Sequence, residues 1–193
     1  MSTRAIACAE ECAQHRASFP DVRHLTAVEL QSMLPGEKNI TIVDVRAEGE
    51  RRVSMLPGAI ALNQLTWPPE AGSKTVFYCT VGYRSSLEAR RLAARAPKNA
   101  ELYSMAGILD WAHAGGALVD ASGQPTVRLH AFGSKWAAMA PEKFEVETFD
   151  SASCSFFRAI LRVVWLVVSW PVVWACGNQG EGRTVSTRDR KES

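Results

Sequence analysis

A cysteine and an arginine bracket the run Cys79-Thr80-Val81-Gly82-Tyr83-Arg84. These residue types, so close together, have the parts of an activated sulfur nucleophile. The thiolate is the reactive form of cysteine, and nearby positive charge and free backbone N–H groups favour it. Thr75–Cys79 (TVFYC) is apolar, β-branched and aromatic, and it reads as a buried strand that delivers the cysteine to its end. Ser85-Ser86-Leu87-Glu88 reads as a capping box, so a helix is expected to start there. Ala89, Leu92, Ala93 and Ala96 continue it at helical spacing, and Pro97 closes it. The loop then curls toward a helix N-terminus, whose unpaired N–H groups and dipole favour an anion. Gly82 lets the backbone turn inward where a side chain would block it. Arg84 adds a full positive charge. Cys79 is therefore expected to be held as thiolate. The competing reading is a buried strand-end cysteine without chemistry, since free Cys often packs as a small hydrophobe.

The elements that must position this loop are legible on either side. Thr26-Ala27-Val28-Glu29 is a capping box; Leu30, Met33 and Leu34 line one face of the helix it opens, and Pro35-Gly36 ends it. Ile40–Val45 is a β-branched run that reads as a buried strand, ending in Asp44-Val45-Arg46. Pro57-Gly58 marks a turn before Ala59–Leu62, and Trp67-Pro68-Pro69 opens a loop to Gly72. Glu101–Met105 is a third strand, followed by Gly107 and a short helix through Trp111 to Gly115-Gly116. Strands alternating with helices imply an α/β domain with a small parallel sheet flanked by helices.

The 193 residues are enough for one such domain with extensions, and the composition is that of a globular protein. The net charge of +2 leaves no broad footprint for nucleic acid, so none is expected as a partner. Residues 151–193 carry +3 and the remainder −1, which places the basic excess in the tail. Five cysteines, Cys8, Cys12, Cys79, Cys154 and Cys176, form no disulfide framework, which suits an intracellular, reducing compartment. Cys8 and Cys12 would share a helix face, but with only His15 nearby they read as packing residues rather than metal ligands. No metal and no organic cofactor is expected. The N-terminus lacks a secretory hydrophobic region, and Glu10 and Glu11 argue against a transit peptide.

From Leu25 to about Leu118 the chain resembles the rhodanese domain. LTAVEL is similar to its first helix, TIVDVRAEGE to its first signature with Asp-x-Arg, and LPGAIAL to its Pro-Gly-Ala-Ile step. YCTVGYRSSLEARRLA resembles its active-site loop and following helix, and YSMAGILDWAHAG its closing Gly-and-helix segment. The resemblance implies a sulfurtransferase in which Cys79 accepts a sulfane sulfur as a persulfide and passes it to a thiol or other acceptor. It further implies that Thr80, Val81, Gly82, Tyr83 and Arg84 form the substrate-binding loop, with Arg84 orienting an anionic donor. Asp44 and Arg46 resemble the family's support and active-site-rim pair; a buried salt bridge at the sheet edge is the alternative. Two departures stand out. Met55 occupies the place where many members have a His, and Thr80 and Val81 lack the basic side chains of dedicated thiosulfate enzymes, which puts high thiosulfate activity in doubt. A cysteine phosphatase or arsenate reductase would want a His before the cysteine and five residues before the arginine; here Tyr78 precedes and four intervene. A non-catalytic binding or regulatory module is the other alternative.

Four segments result: an N-terminal extension (1–19), the rhodanese-like domain (20–118), an extension (119–150) expected to pack through Leu129, Phe132 and Trp136, and a hydrophobic segment with a basic tail (151–193). The extension resembles one found after some bacterial and plastid-type rhodanese domains and is assigned no chemistry. His113 and His130 lack ligand spacing and read as structural or solvated. The stretch 156–176 (FFRAILRVVWLVVSWPVVWAC) is apolar on all faces and reads as a helix. Its charge-free part, Val163–Cys176, has 14 residues, short of the roughly 20 a bilayer span wants. Arg158 and Arg162 can snorkel, membrane helices tolerate Pro171, and basic residues follow. Membrane association, by interfacial anchoring or a full span, is the expectation; a helix covering the domain is the alternative.

Overall fold

The computed structural model describes residues 1–149. The sheet is built as its apolar runs require. Ile40–Asp44 (β2) and Lys74–Tyr78 (β4) pair in parallel, with Val43 opposite Phe77 and Asp44 opposite Tyr78. Glu101–Met105 (β5) adds to the other side of β4, Arg23–Leu25 (β1) lies beyond β5, and Ile60–Ala61 (β3) lies beyond β2. The five-stranded order β1-β5-β4-β2-β3 is parallel throughout, so the strand carrying Cys79 is the central one. Successive side chains of a strand face opposite ways. Val76 and Tyr78 therefore join the larger core with Leu30, Leu56, Met105 and Ile108, while Phe77 and Val43 meet Ala89 and Leu92 on the other face.

Helices cover both faces. Ala27–Met33 (α2) has the anticipated capping box, with Glu29 accepting from the Thr26 N–H at 2.6 Å. Glu48–Val53 (α3) follows β2, and Ile108–His113 (α5) follows β5. Tyr83–Ala93 (α4) differs from expectation at its start. Its N-cap is Gly82, with φ of 95°, and no side chain caps it. Ser85 and Ser86 lie inside the first turn instead, with their hydroxyl oxygens 3.1 and 2.7 Å from the Gly82 carbonyl oxygen. A capping box fixes where a helix is able to begin; the tight loop makes this one begin three residues earlier.

The first helix, Thr3–Ala17 (α1), packs on α4 and α5, with Cys8 and Cys12 buried in the larger core. The Cys12 thiol donates to the Ala106 carbonyl at 3.2 Å; the Cys8 neighbour and burial both push its titration up, so it stays protonated. No cluster suited to a metal ion occurs among the described residues.

After α5 come Leu118–Val119 (β6), Pro125–Thr126 (β7), Arg128–His130 (β8), Ser134–Ala137 (α6) and Glu145–Glu147 (β9). β6 pairs with β7, and β8 pairs with β9 in parallel. Leu129 is fully buried, and β8 packs on α3. Met55 and Val119 exchange backbone hydrogen bonds of 2.8 and 2.9 Å, so the position that departs from the family pattern is clipped to this extension. Residues 1–149 form one compact unit. The apolar stretch 156–176, with Cys154 and Cys176, lies outside the described residues; among those described, no helix is long and apolar enough to cross a membrane.

Candidate active site

Cys79 directly follows β4, at the C-terminal edge of the sheet, where open α/β sheets hold their ligands. Two glycines make the loop possible. Gly82 takes a left-handed conformation that turns its N–H back to the Cys79 Sγ, 3.2 Å away. Gly107, with φ of 117°, lies against the loop backbone so closely that a Cβ there would sit 2.4 Å from the Thr80 carbonyl oxygen. That approach lets the Ile108 and Leu109 N–H groups donate to the carbonyls of Cys79 and Thr80, at 2.8 and 3.3 Å.

A second donor reaches the sulfur. The Ser85 hydroxyl is 3.7 Å from Sγ, and Ser104 and Ser86 continue a chain of buried hydroxyls at 2.9 and 3.0 Å. In the polarity Ser86 to Ser104 to Ser85 to Sγ each hydroxyl gives its single proton to the next member, the Gly82 carbonyl is left to the Ser86 N–H at 3.1 Å, and the last proton points at the sulfur. A negative sulfur is stabilised by such donors.

Arg84 is beside the site but is not the free cation the loop sequence predicts. Its two terminal nitrogens donate to the Glu50 carboxylate at 2.7 and 2.8 Å, and Glu50 is fully buried. Burial alone would raise the Glu50 pKa; the Arg84 bonds and the charges of Arg84 and Arg46 outweigh it and hold the carboxyl below its usual range. The Thr80 hydroxyl joins, accepting from Arg84 at 3.1 Å. Glu50 closes the TIVDVRAEGE run, yet nothing in its spacing from Arg84 announces the pairing. The two meet because α3 and the loop flank the same sheet edge.

Arg46, expected at the rim of the site, is placed elsewhere. Its side chain is fully buried, bonded to both oxygens of Asp44 and to the Ser54 carbonyl. The Tyr78 hydroxyl donates to the same carboxylate at 2.5 Å and accepts from the Leu56 N–H. Burial pulls the Arg46 pKa down, but Asp44 and its neighbours raise it further, so the charge persists. Of the two readings open for this pair, the buried salt bridge is what forms, and Arg46 does not line the pocket. The short Asp-x-Arg spacing lets the guanidinium fold back onto its own strand end.

A cavity of about 280 Å³ opens onto Cys79. Thr80, Val81, Tyr83 and Arg84 line it together with the cysteine, so five of the six loop residues reach it directly. Its remaining walls are His15 of α1 and Phe132 and Trp136 of the extension, to which sequence reading assigned no chemistry. Phe132 and Trp136 meet edge to face at 5.8 Å, the His15 and Tyr83 rings are tilted with centroids 5.4 Å apart, and the Arg84 guanidinium lies 5.1 Å over the Phe132 ring. Buried Glu11 fixes this wall: it accepts from Lys135 at 2.7 Å and from the Trp136 indole at 3.2 Å, and it lies 3.3 Å from His15. His113 is structural, with Nε2 bonded to the Met139 carbonyl at 2.7 Å. His130 is buried 4.0 Å from Glu50, and burial holds its pKa below the usual imidazole range.

A parallel sheet with a cysteine at the end of its central strand, held by a glycine-turned loop, defines an α/β thiol site. Residues 26–114 match the family model of the rhodanese-like domain, and this part of the chain is a rhodanese-like domain. Among solved structures, a thiosulfate sulfurtransferase from Pseudomonas aeruginosa is 22% identical, over 72% of this chain and 26% of that one, with a TM-score of 0.47. A rhodanese-related protein from Thermoplasma volcanium is 24% identical, over 50% and 97% of the two chains, with a TM-score of 0.42. A protein of unknown function and possible tyrosine phosphatase from Rhodopseudomonas palustris is 22% identical, over 56% and 91%, with a TM-score of 0.41. No curated protein matches the sequence.

Proposed function

We propose that this protein is a sulfurtransferase in which Cys79 carries a sulfane sulfur as a persulfide between a small-molecule donor and a thiol acceptor. The observation that carries this reading is Cys79, nearly fully buried, lining the cavity with its Sγ 3.2 Å from the Gly82 N–H and 3.7 Å from the Ser85 hydroxyl. Two donors on one sulfur suit an anion that must be stabilised before and after transfer. The rhodanese-like domain supports the same chemistry at the level of the family. In the step, the Cys79 thiolate attacks the outer sulfur of the donor, the bond behind that sulfur breaks, and the remainder of the donor leaves with the electron pair. No metal or organic cofactor enters. Phosphate transfer is the weaker fit, because Arg84 is occupied by Glu50 and the loop is one residue shorter than that chemistry wants.

Intact mass of the full-length protein after incubation with glutathione persulfide or thiosulfate, beside Cys79→Ser, tests this. Wild type gains the mass of one sulfur, lost again on treatment with cyanide or excess thiol, and Cys79→Ser gains none. Wild type without the adduct under every donor overturns the proposal in favour of a binding module. Membrane association through 156–176 is a separate proposal, supported by the run of apolar residues alone. Flotation of the full chain with anionic vesicles supports it, and a full chain left at the bottom of the gradient rejects it.

A further inference from the structure

The walls of the Cys79 cavity carry more information than its floor. His15, Phe132 and Trp136 all lie outside the matched span 26–114, so the part of the pocket that a donor's leaving group would touch is built by the extensions. That part is aromatic. Arg84 is the lining residue with a permanent positive charge, and it is already held bidentately by Glu50. Moving a small inorganic dianion from water into such a place strips its hydration and offers no uncompensated charge in return, which is costly. Size agrees. An apolar cavity of about 150 Å³ admits benzene, and this one measures about 280 Å³.

We infer that the sulfur donor is an organic persulfide whose sulfane sulfur is joined to an apolar, ring-sized group, with Phe132 and Trp136 determining that specificity. This rests on the sulfur-transfer reading of Cys79. The Cys79 thiolate attacks the terminal sulfur of R–S–SH. The S–S bond of the donor breaks, Cys79–S–SH forms, and RS⁻ departs into the aromatic wall and takes up a proton from solvent to become RSH. Glu11 is a positioning residue: its bonds to Lys135 and the Trp136 indole hold the wall in place without touching the donor.

Thiosulfonate anions, R–SO₂–S⁻, are stable probes that present the same sulfane sulfur and release a sulfinate. Full-length protein is incubated with benzenethiosulfonate, methanethiosulfonate or thiosulfate, and sulfur on Cys79 is followed by intact mass over time. The benzene probe is expected to load about tenfold faster than the other two, the scale of burying one ring's worth of apolar surface. Phe132→Ala and Trp136→Ala are each expected to cut loading from the benzene probe at least about fivefold while leaving the methane probe within about twofold. Both side chains are only partly buried, and Phe132→Leu makes the same comparison should the alanine variant fold poorly. Thiosulfate loading as fast as the benzene probe, or variants that slow all three donors alike, overturns the inference and leaves sulfur transfer standing. No loading from any probe overturns both.

Discussion

Two arginine–carboxylate pairs flank the end of β4, and they serve different ends of the molecule. Asp44 and Arg46 are sealed from solvent, two residues apart in sequence, and bonded to each other, to Tyr78 and to the Ser54 carbonyl. Glu50 and Arg84 are 34 positions apart; the carboxylate is buried while the guanidinium is one-third exposed and forms a wall of the Cys79 cavity. Both are bidentate, and both would read from sequence as charge near a nucleophile. What separates them is access. A pair sealed from the cavity is able only to fix the strand end, whereas a pair with one partner on the cavity wall also sets the charge of that wall. Compensated by Glu50, Arg84 presents direction and hydrogen-bonding capacity without surplus charge.

The sharpest way to break this contrast is Asp44→Ala. It leaves the Arg46 cation and the Tyr78 hydroxyl without their acceptor in a dry site, which costs about 3–5 kcal/mol. The urea midpoint should fall accordingly, while the fraction of folded molecules that load sulfur on Cys79 is unchanged. A stable Asp44→Ala protein that cannot load sulfur would reverse the roles assigned to the two pairs.

Arg84→Ala should cost slightly less in stability, about 3 kcal/mol, because the exposed edge lets water partly resolvate Glu50. Unlike Asp44→Ala, it should also slow sulfur loading in the molecules that remain folded. Sequence reading tied Arg84 to the thiolate and its donor alone; burial of Glu50 makes the stability loss the first thing to measure. Glu50→Gln offers the complementary test: Arg84 then becomes a free cation, and thiosulfate should load faster relative to benzenethiosulfonate than in wild type.

Next in size is Gly82→Ala. A Cβ at that position meets the Ala106 backbone only at ordinary contact distance, 3.5 Å, so the cost is the left-handed conformation itself, about 1–2 kcal/mol. If the Gly82 N–H matters to the sulfur, loading falls by more than stability does; equal losses would mean the glycine serves only the turn.

The smallest effect is on pH. Folding holds Glu50 and Glu11 below the usual carboxylate range and His130 below the usual imidazole range. Each binds fewer protons folded than unfolded, so each stabilises at high pH and loses that contribution on acidification. His130 acts first, below its ordinary value of 6.5, and the carboxylates follow below 4.5. Melting temperature should begin to drop between pH 7 and 5.5, and His130→Phe should remove that early part of the slope. An unaltered slope would assign it to other groups.

Much of the site was legible before any coordinates. The apolar runs at 40–45 and 75–79, the cysteine at the end of the second, and Gly82 and Arg84 beyond it prescribe a strand, a tight turn and a helix through local preference and periodicity. Those are short-range causes, so sequence suffices for them. Ser85 was read as a cap, yet its hydroxyl faces Cys79, because the loop geometry pulled the helix start three residues back. Glu50, His15, Phe132 and Trp136 carried no signal that tied them to the thiol. Their places depend on how α1, α3 and the extension stack on the sheet edge, contacts spanning 34 to more than 100 positions. Sequence alone therefore determined the cysteine at the strand end and the turn that follows it. Only the tertiary structure decided which charges are compensated, which pair is sealed and what surrounds the sulfur, since those follow from burial and from chain segments meeting at a distance.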